Sequence, residues 1–291
     1  MEDIYINNTS RANSYNYSNV TFAFNDFKGK DGSAMNVVTY IIIGIGLPLT
    51  LVAIYALYSL VEKDHVAPIY VINLLISDII QFSCMIVQMV PLQDVKLSET
   101  FFYIYLSGLL ASVGFMVCVA LERYLVIAFP LWYRFRRTIK TSVVVCVVVW
   151  TVPLVFFFTF LFIVDSKVPQ IVSAVFLLCP LPLFIFFLGG TLKALSASIS
   201  LPTDEKRRIV GILVLVLLTY MLLFLPTIIG FLAEGARNNT TFRNLYVMLL
   251  RLSPLADFVL YVFMRKGTID KLLASVCCCR MDSNDIRSSS V

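Results

Sequence analysis

Leu121-Glu122-Arg123-Tyr124 closes a long apolar run, and Pro130-Leu131-Trp132-Tyr133-Arg134-Phe135-Arg136-Arg137 follows within a dozen or so residues. Charges at the end of a membrane-length apolar segment are expensive unless they sit at an interface and have partners. Packing alone gives no reason for an acid–arginine–tyrosine triplet at that boundary.

Working outward, the chain has 291 residues, of which 59% are hydrophobic and only 14% charged, with a mean hydropathy of +0.87. A soluble domain carries about 25% charged residues. Apolar runs of membrane-spanning length, about 20 residues each, fall roughly at 36–60, 67–91, 100–128, 141–164, 168–194, 208–233 and 242–264. The expectation is an all-α membrane protein of seven helices; the alternating pattern of a barrel is absent. Short connections predict antiparallel neighbours. Residues 1–35 and 265–291 are polar tails, and Met1-Glu2-Asp3-Ile4-Tyr5 does not read as a cleavable signal. A net charge of +5 spread over such a chain does not point to nucleic acid; its distribution is what informs.

Lys and Arg gather on one side. Arg134, Arg136, Arg137 and Lys140 follow the third run, Lys193, Lys206, Arg207 and Arg208 flank the loop after the fifth, and Arg265, Lys266, Lys271, Arg280 and Arg287 follow the seventh. The positive-inside rule puts these in the cytoplasm and the N terminus outside. Glycosylation sequons agree, with Asn7, Asn8, Asn16 and Asn19 in the N-terminal tail and Asn238 and Asn239 between runs six and seven. The expected location is the plasma membrane, crossed seven times.

The triplet resembles the Glu/Asp-Arg-Tyr signature of rhodopsin-like (class A) G-protein-coupled receptors, and further matches run along the chain. Asn73-Leu74-Leu75-Ile76-Ser77-Asp78 resembles the Asn-Leu-x-x-x-Asp pattern of the second helix, and the fourth run has Trp150. Phe224-Leu225-Pro226 is similar to the aromatic-x-Pro switch of the sixth. Asp257-Phe258-Val259-Leu260-Tyr261 resembles Asn/Asp-Pro-x-x-Tyr of the seventh, with Phe258 in place of proline, and Thr50 stands where the family nearly always has Asn. The third-run exit resembles Mas-related receptors, whereas Pro48-Leu49-Thr50 and Phe224-Leu225-Pro226 look more like the proton-sensing, lysolipid and nucleotide group.

The resemblance implies roles for these residues. Arg123 would be restrained by Glu122 at rest and would meet a heterotrimeric G protein when the sixth helix swings outward, with Tyr124, Phe224, Pro226, Asp257 and Tyr261 in the switch. Arrestin is the second partner it implies. Lys206 falls where some relatives carry an acid that locks the arginine, so appreciable basal activity is expected; signalling no higher than mock-transfected cells would reject that. Asp78 and Asp257, with Ser112 and Ser253, would form the site that holds sodium in many relatives. Read from chemistry alone, two intramembrane carboxylates must share a proton, bind a cation or face water. No other cofactor is expected. The family's usual disulfide between the third helix and second outer loop is impossible, because Cys84, Cys118, Cys146 and Cys179 lie in runs and Cys277, Cys278 and Cys279 in the tail. Ser98 lies about where its first partner would be.

Arg251 lies roughly 14 Å into the seventh run at 1.5 Å per residue, and an intramembrane arginine marks a functional-site candidate. The resemblance places it in the central cavity near Gln88 and Tyr105. A guanidinium fork suits carboxylate or phosphate, so an anionic lipid or small acid is one reading of the unknown extracellular ligand. An internal partner for Arg251 is the other. The same position carries the retinal-binding lysine in opsins, which disfavours a photoreceptor. His65 is the one histidine and falls on the inner side, so an outer-face histidine pH sensor is excluded.

Pro226, and Pro180 with Pro182, should open the helix ladder locally. In the tail, Met264 to Leu273 reads as a short amphipathic eighth helix on membrane lipids, followed by palmitoylation candidates Cys277, Cys278 and Cys279. Free thiols are the alternative there. Ser289-Ser290-Val291 fits the end of a PDZ-domain ligand. No enzyme site is visible, and the competing class is a transporter or channel using Asp78, Arg251 and Asp257. Inverted repeats or paired broken helices, which would favour transport, are not seen.

Overall fold

A computed structural model describes residues 30–61, 69–90, 95–136, 139–162, 167–197, 203–233, 235 and 239–264. Its helices are α1 (Lys30–Val61), α2 (Ile69–Met89), α3 (Val95–Ala128), α4 (Pro130–Arg136), α5 (Ile139–Phe162), α6 (Lys167–Leu178), α7 (Pro180–Ala197), α8 (Thr203–Leu232) and α9 (Thr240–Met264). Seven stretches of these are long and apolar enough to cross a membrane: Met35–Tyr58, Ile69–Met89, Lys96–Ala128, Lys140–Thr159, Ile171–Ser196, Ile209–Leu232 and Thr240–Met264. No strand occurs among the described residues. The bundle is a seven-helix membrane fold.

Three differences from the expected boundaries have physical causes. α1 begins at Lys30, so the first helix runs beyond its apolar stretch. The fifth span is two helices, interrupted at Cys179 where Pro180 starts α7; a proline has no N–H for the preceding turn and suits a first helical position. α4 was not expected, and it occupies the aromatic–basic segment after the triplet. By contrast α8 and α9 run through Pro226 and Pro254 without interruption.

α3 is the hub, packing on α2, α5 and α7, while α9 closes the ring against α8, α1 and α2. Its central stretch is sealed: Tyr105, Leu109, Ala111, Phe115, Met116 and Ala120 are all fully buried. α5 instead turns Val144, Val147, Val148, Val155 and Phe158 outward. Those residues are as apolar as the core because hydrocarbon, not water, is their expected solvent. What fastens α5 is a polar hook. Trp150 Nε1 donates to Asn73 Oδ1 on α2 at 3.0 Å, the Asn73 amide donates to the Ile69 carbonyl at 2.9 Å, and the Trp150 ring meets Phe115 edge-on.

The N-terminal tail, the segment after Met264 and the side chain of Lys206 lie outside the described residues. With them go the eighth helix, Cys277 to Cys279, the PDZ-type end and the sequons Asn7, Asn8, Asn16, Asn19 and Asn238. Asn239 is described: its Oδ1 accepts the backbone N–H groups of Thr241 and Phe242 at 3.0 and 3.2 Å, which caps α9. Cys84, Cys118, Cys146 and Cys179 are free thiols.

Candidate functional site

The sequence-selected residues fall at three levels of the bundle. At one end lies the triplet. Glu122 and Arg123 are consecutive on α3, so their side chains point about 100° apart. Glu122 is buried, and its Oε1 accepts the Tyr133 hydroxyl of α4 at 2.8 Å. α4 thus supplies a partner for Glu122 that the sequence reading did not include. Arg123 Nε is enclosed without a hydrogen-bond acceptor. Tyr124 packs among aromatics, stacked on Phe187 at 5.7 Å and edge-on to Phe186 and Phe129. Gly190 makes room for it, because a Cβ there would stand 2.6 Å from the Tyr124 ring.

Midway along the bundle, α2, α3 and α9 bring Asp78, Ser112, Ser253 and Asp257 inward, all fully buried. The Ser112 hydroxyl donates to Asp257 Oδ2 at 2.6 Å. Gln81 donates to Asp78 Oδ1 at 3.4 Å, and the Asp78 and Asp257 carboxyls are within hydrogen-bonding reach of each other. Asp78 Oδ2, Asp257 Oδ1, Gln81 Oε1, Ser253 Oγ and Thr50 Oγ1 are enclosed with no hydrogen-bond partner. Buried polar oxygens are nearly always satisfied by protein, water or an ion. The donor set, oxygen throughout with two carboxyls, suits a small hard cation or a shared proton. No group of three or more His, Cys, Asp or Glu residues with metal-binding geometry occurs among the described residues.

Closer to the opposite end, Arg251 is 2% exposed and its Nη1 donates to Thr39 Oγ1 of α1 at 2.7 Å. The Tyr105 hydroxyl donates to the Leu250 carbonyl at 2.8 Å, tying α3 to the same turn of α9. Both amide atoms of Gln88 are enclosed without partners. Thr39 and Tyr133 carry the contacts that the sequence did not reveal. Thr39 reads as ordinary packing in an apolar run, and Tyr133, though part of the aromatic–basic stretch after the triplet, gave no sign of reaching back to Glu122.

The residues of α8 and α9 to which the resemblance assigns a switch are also internal. Phe224 is fully buried and lies 5.0 Å from Tyr220, which in turn meets Phe184 of α7 edge-on at 5.0 Å. Tyr261 is buried beside Phe258, their centroids 5.9 Å apart.

Residues 49–171 match the family described as 7 transmembrane receptor (rhodopsin family). The chain is 31% identical over 115 residues to lysophosphatidic acid receptor 6 of Gallus gallus, covering 36% of each chain. It is 30% identical over 119 residues to free fatty acid receptor 3 of Mus musculus, again 36% of each. With Mas-related G-protein coupled receptor member X1 of Homo sapiens it shares 27% over 128 residues, 43% of this chain and 39% of the relative. The aligned part thus spans little more than a third of the length of these relatives. Seven spanning helices, the Asp78–Ser112–Asp257 centre and these matches agree in making the chain similar to rhodopsin-like receptors, with the family match confined to residues 49–171.

Proposed function

We propose that the chain couples an extracellular ligand of acidic character to heterotrimeric G proteins, with its N terminus outside the plasma membrane. The observation that carries this is the state of the triplet. Tyr133 occupies Glu122, while Arg123 keeps an enclosed guanidinium nitrogen with no acceptor. A buried donor without a partner costs about 1–3 kcal/mol, and an incoming G-protein backbone or carboxyl group would satisfy it. Tyr124, Phe224, Pro226, Asp257 and Tyr261 form the two-state element whose populations the ligand shifts.

Two relatives are named for lysophosphatidic acid and free fatty acids, both of them acids. The enclosed cation Arg251, with Tyr105 beside it and Gln88 unsatisfied, favours negative charge in the ligand. An anionic agonist acting equally on wild type and Arg251→Ala would refute the part given to Arg251. Asp78, Ser112, Ser253 and Asp257 hold sodium or a proton; equal melting midpoints in sodium and choline chloride would reject sodium.

Arrestin at the Arg123 face, membrane lipids, glycans on the outer sequons, acyl chains on Cys277 to Cys279 and a PDZ protein at Ser289–Val291 complete the proposed partners and modifications. Peptide mass spectrometry of the expressed chain reads the glycans and acyl groups directly. No catalytic role is proposed, since the relatives are named as receptors. The test of the whole is nucleotide exchange on purified G proteins by the reconstituted chain. Solute uptake or ion current without exchange would favour a transporter or channel, which the receptor relatives do not favour.

A further inference from the structure

Of the three most exposed large apolar side chains among the described residues, Tyr55 lies in a membrane-crossing stretch, whereas Phe135 (83%) and Leu131 (75%) lie on α4, outside every such stretch. Hydrocarbon therefore does not surround them by default, as it does the outward valines of α5. Left in water, each forgoes the burial that stabilises an apolar group. A helix of seven residues is also too short to hold itself in water and needs fastening from outside. One side has it: the Tyr133 hydroxyl donates to Glu122 Oε1 at 2.8 Å, and the Tyr133 N–H donates to the Phe129 carbonyl at 2.9 Å. Leu131 and Phe135 are four residues apart and share a face, and Tyr133 stands about 200° from either at 100° per residue. The side turned away from Glu122 is thus an open apolar ridge.

Chain length limits where that ridge can be. The third crossing ends at Ala128 and the fourth begins at Lys140. α4 starts two residues after the one and ends four residues before the other, at most roughly 7 and 14 Å of extended chain. An interfacial amphipathic helix sinks its apolar face about 5–10 Å into the headgroup boundary, so both tethers keep α4 within reach of that layer. Charge complements position. Arg134 and Arg136 bracket Phe135 in sequence, Arg137 and Lys140 follow, and no acid occurs between Glu122 and Asp165. Aromatic residues interleaved with cations and free of acids suit an anionic lipid surface.

We propose that the Leu131–Phe135 ridge of α4 docks onto the adjoining membrane leaflet, and that Arg134, Arg136, Arg137 and Lys140 select acidic phospholipid there. This rests on the orientation proposed above, which makes that leaflet the cytoplasmic one, where anionic lipids give a negative surface potential. One face of α4 is then held by Glu122 and the other by lipid.

The test uses the full chain in nanodiscs of phosphatidylcholine, alone or mixed with phosphatidylserine. A nanodisc presents the same lipids on both faces, so failure here speaks against the ridge and not against the orientation, which epitope accessibility on intact cells reads separately. Phe135→Trp, at an exposed position, adds one emitter to the two tryptophans of the chain. The added emission should be quenched by phosphatidylcholine brominated near the headgroup end of its acyl chain. No quenching of it places the ridge in water, as a surface kept for a G protein would be, and overturns the proposal. Lipid selection is read by mass spectrometry of the lipids that stay on the chain after extraction from the mixed nanodiscs. Wild type should retain phosphatidylserine over phosphatidylcholine. Arg134→Gln with Arg136→Gln and Arg137→Gln should lower that ratio by roughly tenfold, since each cation near an anionic leaflet contributes about a factor of five before screening. The matching triple lysine variant keeps the charge and should keep the ratio, which separates lost charge from a folding defect. An unchanged ratio in the glutamine variant, or an equal loss in the lysine variant, overturns the proposal.

Discussion

Replacing Ser112 by alanine removes the one side-chain donor to Asp257 Oδ2, at 2.6 Å between two groups with no solvent exposure. Such a short contact to a carboxyl is of the charge-assisted kind. Bonds to charged groups contribute about 1.5–3 kcal/mol, because the abandoned acceptor keeps its full desolvation cost. Asp257 Oδ1 already lacks a partner, so in the variant only the neighbouring Asp78 carboxyl stays within reach of Asp257. Taking about 2 kcal/mol, and roughly 2–4 °C per kcal/mol for a chain near this size, the melting midpoint should fall by about 4–8 °C. Membrane proteins often unfold irreversibly, so the assay is thermal unfolding in one detergent at one scan rate. The double-mutant cycle sharpens it: Asp257→Asn added to Ser112→Ala should cost less than the sum of the two single changes. An unchanged midpoint for Ser112→Ala, or strict additivity in the cycle, would refute the claim that this bond organises the centre.

Other outcomes follow from the packing at either side of that centre. Gly46→Ala places a methyl 2.5 Å from the fully buried Phe82 ring, so overpacking should cost about 1–3 kcal/mol and lower the same midpoint; a neutral result would show that Phe82 moves freely. Tyr133→Phe removes the hydroxyl that occupies Glu122 while keeping the ring. Ligand-independent signalling should change with surface expression held constant, and an unaltered basal level would show that the α4 contact does not set the resting state.

Much of this was legible beforehand, for reasons that also explain what was not. The seven spans follow from hydropathy alone, and Asp78, Ser112 and Asp257 were brought together as the family resemblance implied, because each is a polar residue the bilayer forces inward. Pro180 broke the fifth span as its missing N–H requires. Which face of each helix turns inward was harder to read. Tyr55 is 77% exposed and Val52 64%, yet neither differs in polarity from core residues of α1. A lipid-facing surface removes the contrast that periodicity needs. The partners of Glu122 and Arg251 were missed because they come from other helices. Tyr133 reaches back from α4, a helix hidden in a loop of mixed charge, and Thr39 is an unremarkable hydroxyl in an apolar run.

The most direct measurement is nucleotide exchange on heterotrimeric G proteins by the full chain in nanodiscs, with wild type beside Arg123→Ala. Wild type should accelerate exchange on at least one class of Gα subunit, further in the presence of an acidic ligand it binds, and Arg123→Ala should lose most of that acceleration while keeping its melting midpoint. Exchange no faster than with empty nanodiscs across the Gα classes, or equal acceleration by Arg123→Ala, would contradict the role given to Glu122-Arg123-Tyr124.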